Sequence, residues 1–173
     1  MISLDIPDKV DIEIKDCNVI IKGSLGINTR NFNDALIEVK KDNKKLIIQA
    51  KKDNKILLKK GKMAENSFAK ELTNDMEGTN KYFEINMQTV FAHFPITIEV
   101  KGEKIFIKNI IGERAPRISQ IVGNTKVEIK GQNVRIYGTK IDDVSQTAAN
   151  IRKTCKMRNK DNRIFQDGIY KVQ

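Results

Sequence analysis

An α+β fold is what this sequence predicts: a tandem duplication of a small domain, each copy with several short antiparallel strands and one helix around a single core. Three observations carry the prediction. Most of the first sixty residues alternate with period two in short runs, separated by Asp-Asn, Lys-Asp or Gly turn chemistry. Apolar residues fall into helical spacing once in each half. The run Val19-Ile20-Ile21-Lys22 with Gly26 returns as Ile105-Phe106-Ile107-Lys108 with Gly112, at an offset of about 86 residues.

Taken in order, Val10, Ile12 and Ile14 face one way while Asp11, Glu13 and Lys15 face the other. Strands follow at Val19–Lys22, Leu36–Val39, Leu46–Ile48 and Ile56–Leu58, at the spacing of an antiparallel meander. The period then changes. Met63, Phe68, Leu72 and Met76 predict a helix over Ala64–Gly78, with Gly78 as its stop; it is acidic, carrying Glu65, Glu71, Asp75 and Glu77. The programme repeats with strands at Pro95–Val100, Ile105–Lys108, Val127–Ile129 and Val134–Ile136, the last two echoing Leu46–Ile48 and Ile56–Leu58. A second helix, capped by Asp142 or Asp143, buries Val144, Ala148, Ile151 and Cys155. Ile169–Val172 closes as a strand. The expected domains are residues 1–82 and 83–173, the second carrying most of the excess positive charge.

Charge narrows the function. The net charge is +10, which favours a polyanionic partner, nucleic acid or an anionic membrane surface. Residues 1–100 hold 16 basic and 15 acidic side chains, a net of +1, whereas residues 101–173 hold 16 and 7, a net of +9. Polyanion contact is therefore expected in the C-terminal two-fifths. No apolar run is long enough to span a bilayer, and acids stand where a signal peptide carries bases, so a soluble protein with no membrane partner is expected. Cys17 and Cys155 read as free thiols, core or semi-buried, and His93 as a packed or hydrogen-bonded structural residue rather than a catalyst. A lone histidine, the absence of cysteine pairs at metal spacing and the lack of a Walker loop leave no metal, no catalytic triad, no cofactor and no small-molecule substrate to expect. With no Trp and 10 Phe or Tyr residues, an extended aromatic stacking platform is not expected either.

Two clusters are candidate contacts. Arg152, Lys153, Lys156, Arg158, Lys160 and Arg163 put six cations within twelve residues against one acid, Asp161. Functionally they neutralise phosphates along an RNA groove; the alternative is a solvated helix end favoured by the macrodipole. Gly112-Glu113-Arg114-Ala115-Pro116-Arg117 offers two guanidiniums suited to bidentate phosphate contact, or else an ordinary polar loop, and Lys108 joins it at the end of the preceding strand. Gln166-Asp167-Gly168 reads as a turn, Gly168 supplying a positive φ and the turn aiming Arg163 and Tyr170, with Phe165 and Tyr170 able to pin the exit to the core. The paired lysines Lys40-Lys41, Lys44-Lys45, Lys51-Lys52 and Lys59-Lys60 read as hairpin ends and edge protection.

The run Lys160-Asp161-Asn162-Arg163-Ile164-Phe165-Gln166-Asp167-Gly168-Ile169-Tyr170 resembles the closing signature of the large-subunit ribosomal protein L-six family, in its archaeal and eukaryotic branch (numbered nine in eukaryotes). Val90–Ile96 resembles that family's inter-domain strand, Asn109–Arg117 its first strand-to-strand loop in the second domain, and Gln146–Ile151 its second helix. The resemblance spans essentially the whole chain. It implies a structural, non-enzymatic constituent of the large subunit, cytoplasmic with the ribosome, at the base of the factor-binding stalk and against the rRNA that supports the sarcin–ricin loop. Large-subunit rRNA and neighbouring large-subunit proteins, those of the stalk base included, would be its partners. The rRNA contacts would be Lys108, Arg114, Arg117, Arg152, Lys153, Lys156, Arg158, Lys160 and Arg163. A stand-alone RNA-binding module and an enzyme with an unrecognised site are the competing readings.

Overall fold

The computed structural model of the chain describes residues 2–42, 44–51, 55–157, 160–161 and 163–172, with residues 55–58 described by their backbone alone. It divides into two units, Met1–Tyr82 and Phe83–Gln173. The first contains β1 (Ile2–Asp5), β2 (Asp11–Lys15), β3 (Asn18–Lys22), β4 (Ile27–Asn31), β5 (Ile37–Asp42), β6 (Lys45–Ala50) and α1 (Lys55–Asn80). Its strands form two antiparallel sheets, ordered β1-β6-β5 and β2-β3-β4. The second contains β7 (Phe83–Val90), β8 (Thr97–Lys101), β9 (Lys104–Lys108), a short 3-10 turn at Ile110–Gly112, β10 (Arg117–Gln120), β11 (Lys126–Lys130), β12 (Asn133–Gly138), α2 (Ile141–Cys155) and β13 (Gly168–Lys171). Its sheets are β8-β9-β10 and β11-β12-β7-β13.

The duplication holds element by element, β13 being the one strand without a counterpart. It even preserves turn geometry. The two-residue β2–β3 turn puts Asp16 at φ 51°, and the matching β8–β9 turn puts Gly102 at φ 59°. The correspondence is one strand out of step with the sequence reading, because β11 and β12 match β5 and β6. Ile56–Leu58 is not a strand but part of α1. A three-residue apolar run carries no period, and its Lys and Leu neighbours are good helix formers, so nothing local separates the two states. The helix accordingly starts at Lys55 and runs through Gly78 to Asn80. Gly61 survives inside it because a Cβ there would lie 3.0 Å from the Ala50 Cβ and 3.1 Å from the Leu36 carbonyl.

Each unit has its own core. In the first, Phe68, Leu72 and Met76 of α1 pack with Val19 and Ile21 of β3 and Leu46 and Ile48 of β6. Met63, expected in this stripe, is 72% exposed instead. In the second, Val144, Ala148, Ile151 and Cys155 of α2 pack with Met87, Ile105, Ile107, Ile136 and Ile169. Burying each Leu, Ile or Met side chain contributes roughly 1.5–3 kcal/mol. The free thiols stand as expected, Cys17 half-buried and Cys155 buried; burial pushes the Cys155 thiol up to about 12.

The end of α1 is locked onto β4. Asp75, 1% exposed, accepts from the Arg30 guanidinium at 2.8 Å (Nε–Oδ2) and 3.0 Å (Nη2–Oδ1). Leaving that carboxylate without its cation strands a charge in the core. Arg30→Met should therefore lose about 3–5 kcal/mol in urea unfolding of the whole chain, and Asp75→Asn in the same molecule should restore part of it. A loss below about 1 kcal/mol would show that the pair is solvated and contributes little.

Candidate nucleic-acid interface

The helix α2 carries the basic run because its sequence separates two faces. Val144, Thr147, Ala148, Ile151 and Cys155 are buried, which leaves Arg152, Lys153 and Lys156 exposed beside them. The expected Asp142 or Asp143 cap is not the observed one: the N-cap is Lys140, in extended conformation and without a side-chain cap bond. Both aspartates instead occupy the first turn, while Arg152 and Lys153 occupy the last, so charge and helix dipole agree at both ends.

Arg117 proves to be a fastener. Its Nε donates to Glu113 Oε2 at 2.8 Å and its Nη2 to Oε1 at 2.5 Å. Its Nη1 donates to the carbonyls of Thr154 at 2.8 Å and Lys156 at 3.2 Å. Four of the five guanidinium N–H groups are thereby committed to the protein. The hydrogen bond from Arg117 holds the Glu113 carboxyl below its usual range. Arg117, expected from the sequence as a phosphate contact, thus joins the β9–β10 loop to the end of α2. Lys108, likewise expected as a phosphate contact, is half-exposed and paired. Its Nζ lies 2.6 Å from Glu99 Oε1 across the β8–β9 pair, and Glu99 is held low by that hydrogen bond. Lys22 and Glu13 make the same pair in the first unit. A contact repeated in both copies belongs to the fold.

The β9–β10 loop is strained where it leaves the sheet. Asn109 (φ 62°), Ile111 (φ 46°) and Gly112 (φ 73°) all adopt left-handed backbone, which for a β-branched residue costs on the order of 1–3 kcal/mol. The buried Ile110, the Asn109 Nδ2 bond to the Pro95 carbonyl at 3.1 Å and the Phe94 ring against Gly112 hold it in place. Arg114, two residues on, projects exposed from this loop. Nearby in sequence, His93 is exposed rather than packed.

The closing segment also differs from expectation. Gly168 is not among the positive-φ residues; it begins β13, and a Cβ there would meet the Tyr170 ring at 3.3 Å. Asp167 accepts from the Ala92 backbone N–H at 3.0 Å, tying the closing segment to the end of β7. Phe165 is exposed rather than core-pinned, with Lys160 Nζ 5.1 Å above its ring. Arg163 is paired with Asp161, Nη2 to Oδ2 at 2.9 Å, while remaining 89% exposed, and this hydrogen bond lowers Asp161. Arg158 lies outside the described residues.

Between α2 and the β7–β13 edge runs a groove of about 1030 Å³. Arg152, Lys153, Lys156 and, unanticipated, Lys171 line it. A single strand lysine carries no distinguishing signal in sequence, so this one emerged only with the pairing of β13 and β7. None of these four side chains has an acidic partner among the described residues. No group of three His, Cys, Asp or Glu among the described residues could hold a metal ion, and no helix there is long and apolar enough to cross a membrane. Counted by structural unit, the first has 16 basic against 13 acidic residues, a net of +3, and the second 16 against 9, a net of +7. The arrangement offers clustered, unneutralised cations around a concave surface.

Residues 94–168 match the family model described as ribosomal protein L6. The large ribosomal subunit protein uL6 of Methanocella arvoryzae is 38% identical over 168 residues, covering 96% of this chain and 93% of that protein. The uL6 proteins of Methanothrix thermoacetophila (38%, 98% and 94% covered) and Ignicoccus hospitalis (34%, 96% and 90%) are similar over the same extent.

The role of Arg117 has a pH signature. Glu113 is depressed in the folded chain, so its contribution is present above the ordinary carboxylate range and is lost as pH falls through its lowered value. Arg117→Gln should lower stability by roughly 1–3 kcal/mol at neutral pH. The gap to the unmodified chain should narrow below about pH 4 in thermal melts, with a residue from the helix carbonyls remaining. A gap independent of pH would remove Glu113 from the account.

Proposed function

Because the chain belongs to the ribosomal protein L6 family, we propose that it is a structural constituent of the large ribosomal subunit, binding rRNA through its second unit and catalysing nothing. The observation that carries this reading is the cluster of Arg152, Lys153 and Lys156 at the end of α2, exposed and without an acidic partner among the described residues. Like charges so placed repel one another, and a phosphate backbone relieves that repulsion while releasing its own counterions. The proposed contacts are these three with Arg114, Lys160 and Lys171, and with Lys108 and Arg117 where a phosphate joins or replaces their carboxylate partners. Arg163 joins them by exchanging Asp161 for a phosphate, and Arg158 belongs to the same basic run.

The proposed setting is the base of the factor-binding stalk, against the rRNA that supports the sarcin–ricin loop. There the protein holds rRNA in shape for translational GTPases in the cytoplasm and touches the neighbouring large-subunit proteins of the stalk base. The closing run Lys160–Tyr170 supports this setting, and the similarity to large ribosomal subunit proteins supports the subunit. The second unit is the main rRNA-binding part, on the +7 against +3 division.

Replacing Arg152, Lys153 and Lys156 together by Gln should leave thermal melting unchanged, since all three are exposed. It should weaken binding to large-subunit rRNA and flatten the log–log salt slope by about 2 to 3. Equal affinity and equal incorporation into subunits would reduce the cluster to a solvated helix end.

A further inference from the structure

We propose that the groove between α2 and the edge strand β13 receives an unstacked nucleotide of the bound RNA, its base against the groove floor and its phosphates on the cationic rim. This deepens the rRNA-binding reading and rests on it. A surface that only tracks the outside of a duplex needs no cavity, yet this one is about 1030 Å³, as large as pockets that enclose small molecules. The apolar lining presents Ile85, Val90 and Ala149 at its surface, with the core residues Met87, Ala148, Met157 and Ile169 beneath them. The rim is cationic, carrying Arg152, Lys153, Lys156 and Lys171. Its one acid, Asp167, is tied to the Ala92 N–H.

That combination discriminates among partners. Apolar floor and cationic rim match a base with its phosphates, and the exposed Tyr170 ring adds one stacking surface at the groove's edge. The Ser145 hydroxyl and the Gln166 amide oxygen, also in the lining, supply groups able to read a base edge, the Gln166 Nε2 donating to the Arg163 carbonyl. An A-form duplex presents a wide, shallow minor groove and a narrow, deep major groove, neither of which enters such a cleft. The groove exists because the second unit adds β13 beside β7, an addition the first unit lacks.

Ala149 lines the groove from an exposed position on α2, so a bulky side chain there fills the space without disturbing the core or any charge. The experiment compares the unmodified chain, Ala149→Trp and the Arg152, Lys153, Lys156 triple Gln variant on whole large-subunit rRNA. Affinity, salt slope and dimethyl sulfate protection of unpaired bases are measured, with thermal melting confirming that each variant is folded. The unmodified chain should protect at least one unpaired base. Ala149→Trp should lose that protection and about tenfold in affinity while keeping the salt slope. If Ala149→Trp binds within twofold with the same protections while the triple variant weakens, phosphate contact stands and nucleotide insertion is overturned. If neither variant weakens binding, the rRNA reading of this face fails as a whole. If Ala149→Trp keeps its rRNA affinity but loses a crosslink to a neighbouring protein in assembled subunits, the groove takes a peptide and the proposal is overturned.

Discussion

The last turn of a helix leaves carbonyls without partners, and both units are arranged around supplying donors to them. In the first, Leu25 N–H and the Ser24 hydroxyl donate to the Thr79 carbonyl, and Asn28 Nδ2 donates to that of Asp75. In the second, Arg117 donates to Thr154 and Lys156. Asn28 and Arg117 occupy the same place in the duplicated sheet, opposite Ile21 and Ile107 respectively. This position on the third strand of the small sheet ties that strand to the C-terminal part of the helix in each unit.

The duplication then acts as an internal control. The Glu99–Lys108 pair and the Arg117 bond to helix carbonyls have counterparts in the first unit, in the Glu13–Lys22 pair and the Asn28 bond to the Asp75 carbonyl. Among the described residues the second unit adds three residues before the Arg117 position, by the Ile21–Asn28 and Ile107–Arg117 pairings, and the strand β13. Evolution by repetition leaves the ancestral packing recognisable in both copies and concentrates novelty where they differ. The strained Asn109–Gly112 segment fits that division, because it redirects the chain into the loop that presents Arg114.

Two arginines show how the same side chain takes opposite parts. Arg30 is largely buried and neutralises Asp75 within the fold, where loss of one partner strands the other. Arg152 makes no such pair and stays hydrated at the rim of the groove. Residue type alone does not separate them; the carboxylates within reach do. An isolated cation held away from any acid at close quarters with others is the costlier arrangement, and it is tolerated where a polyanion is to be bound.

The repeated strand-and-helix programme, the buried stripe of α2 and the C-terminal weight of positive charge were all legible in the chain. Each depends on periodicity or composition within a short window, and local sterics dictate those directly. The fate of Ile56–Leu58 was not legible, because three apolar residues have no period. Nor was the neutralisation of Lys108, whose partner Glu99 is set by a cross-strand register. Arg117 reaches Thr154 and Lys156, 37 and 39 residues away, and the groove requires β13 to pair with β7 across the whole second unit. Sequence thus determined which elements form and that a polyanion is sought. Tertiary structure alone decided which cations meet a carboxylate, since such partners are neighbours that only the completed chain brings near.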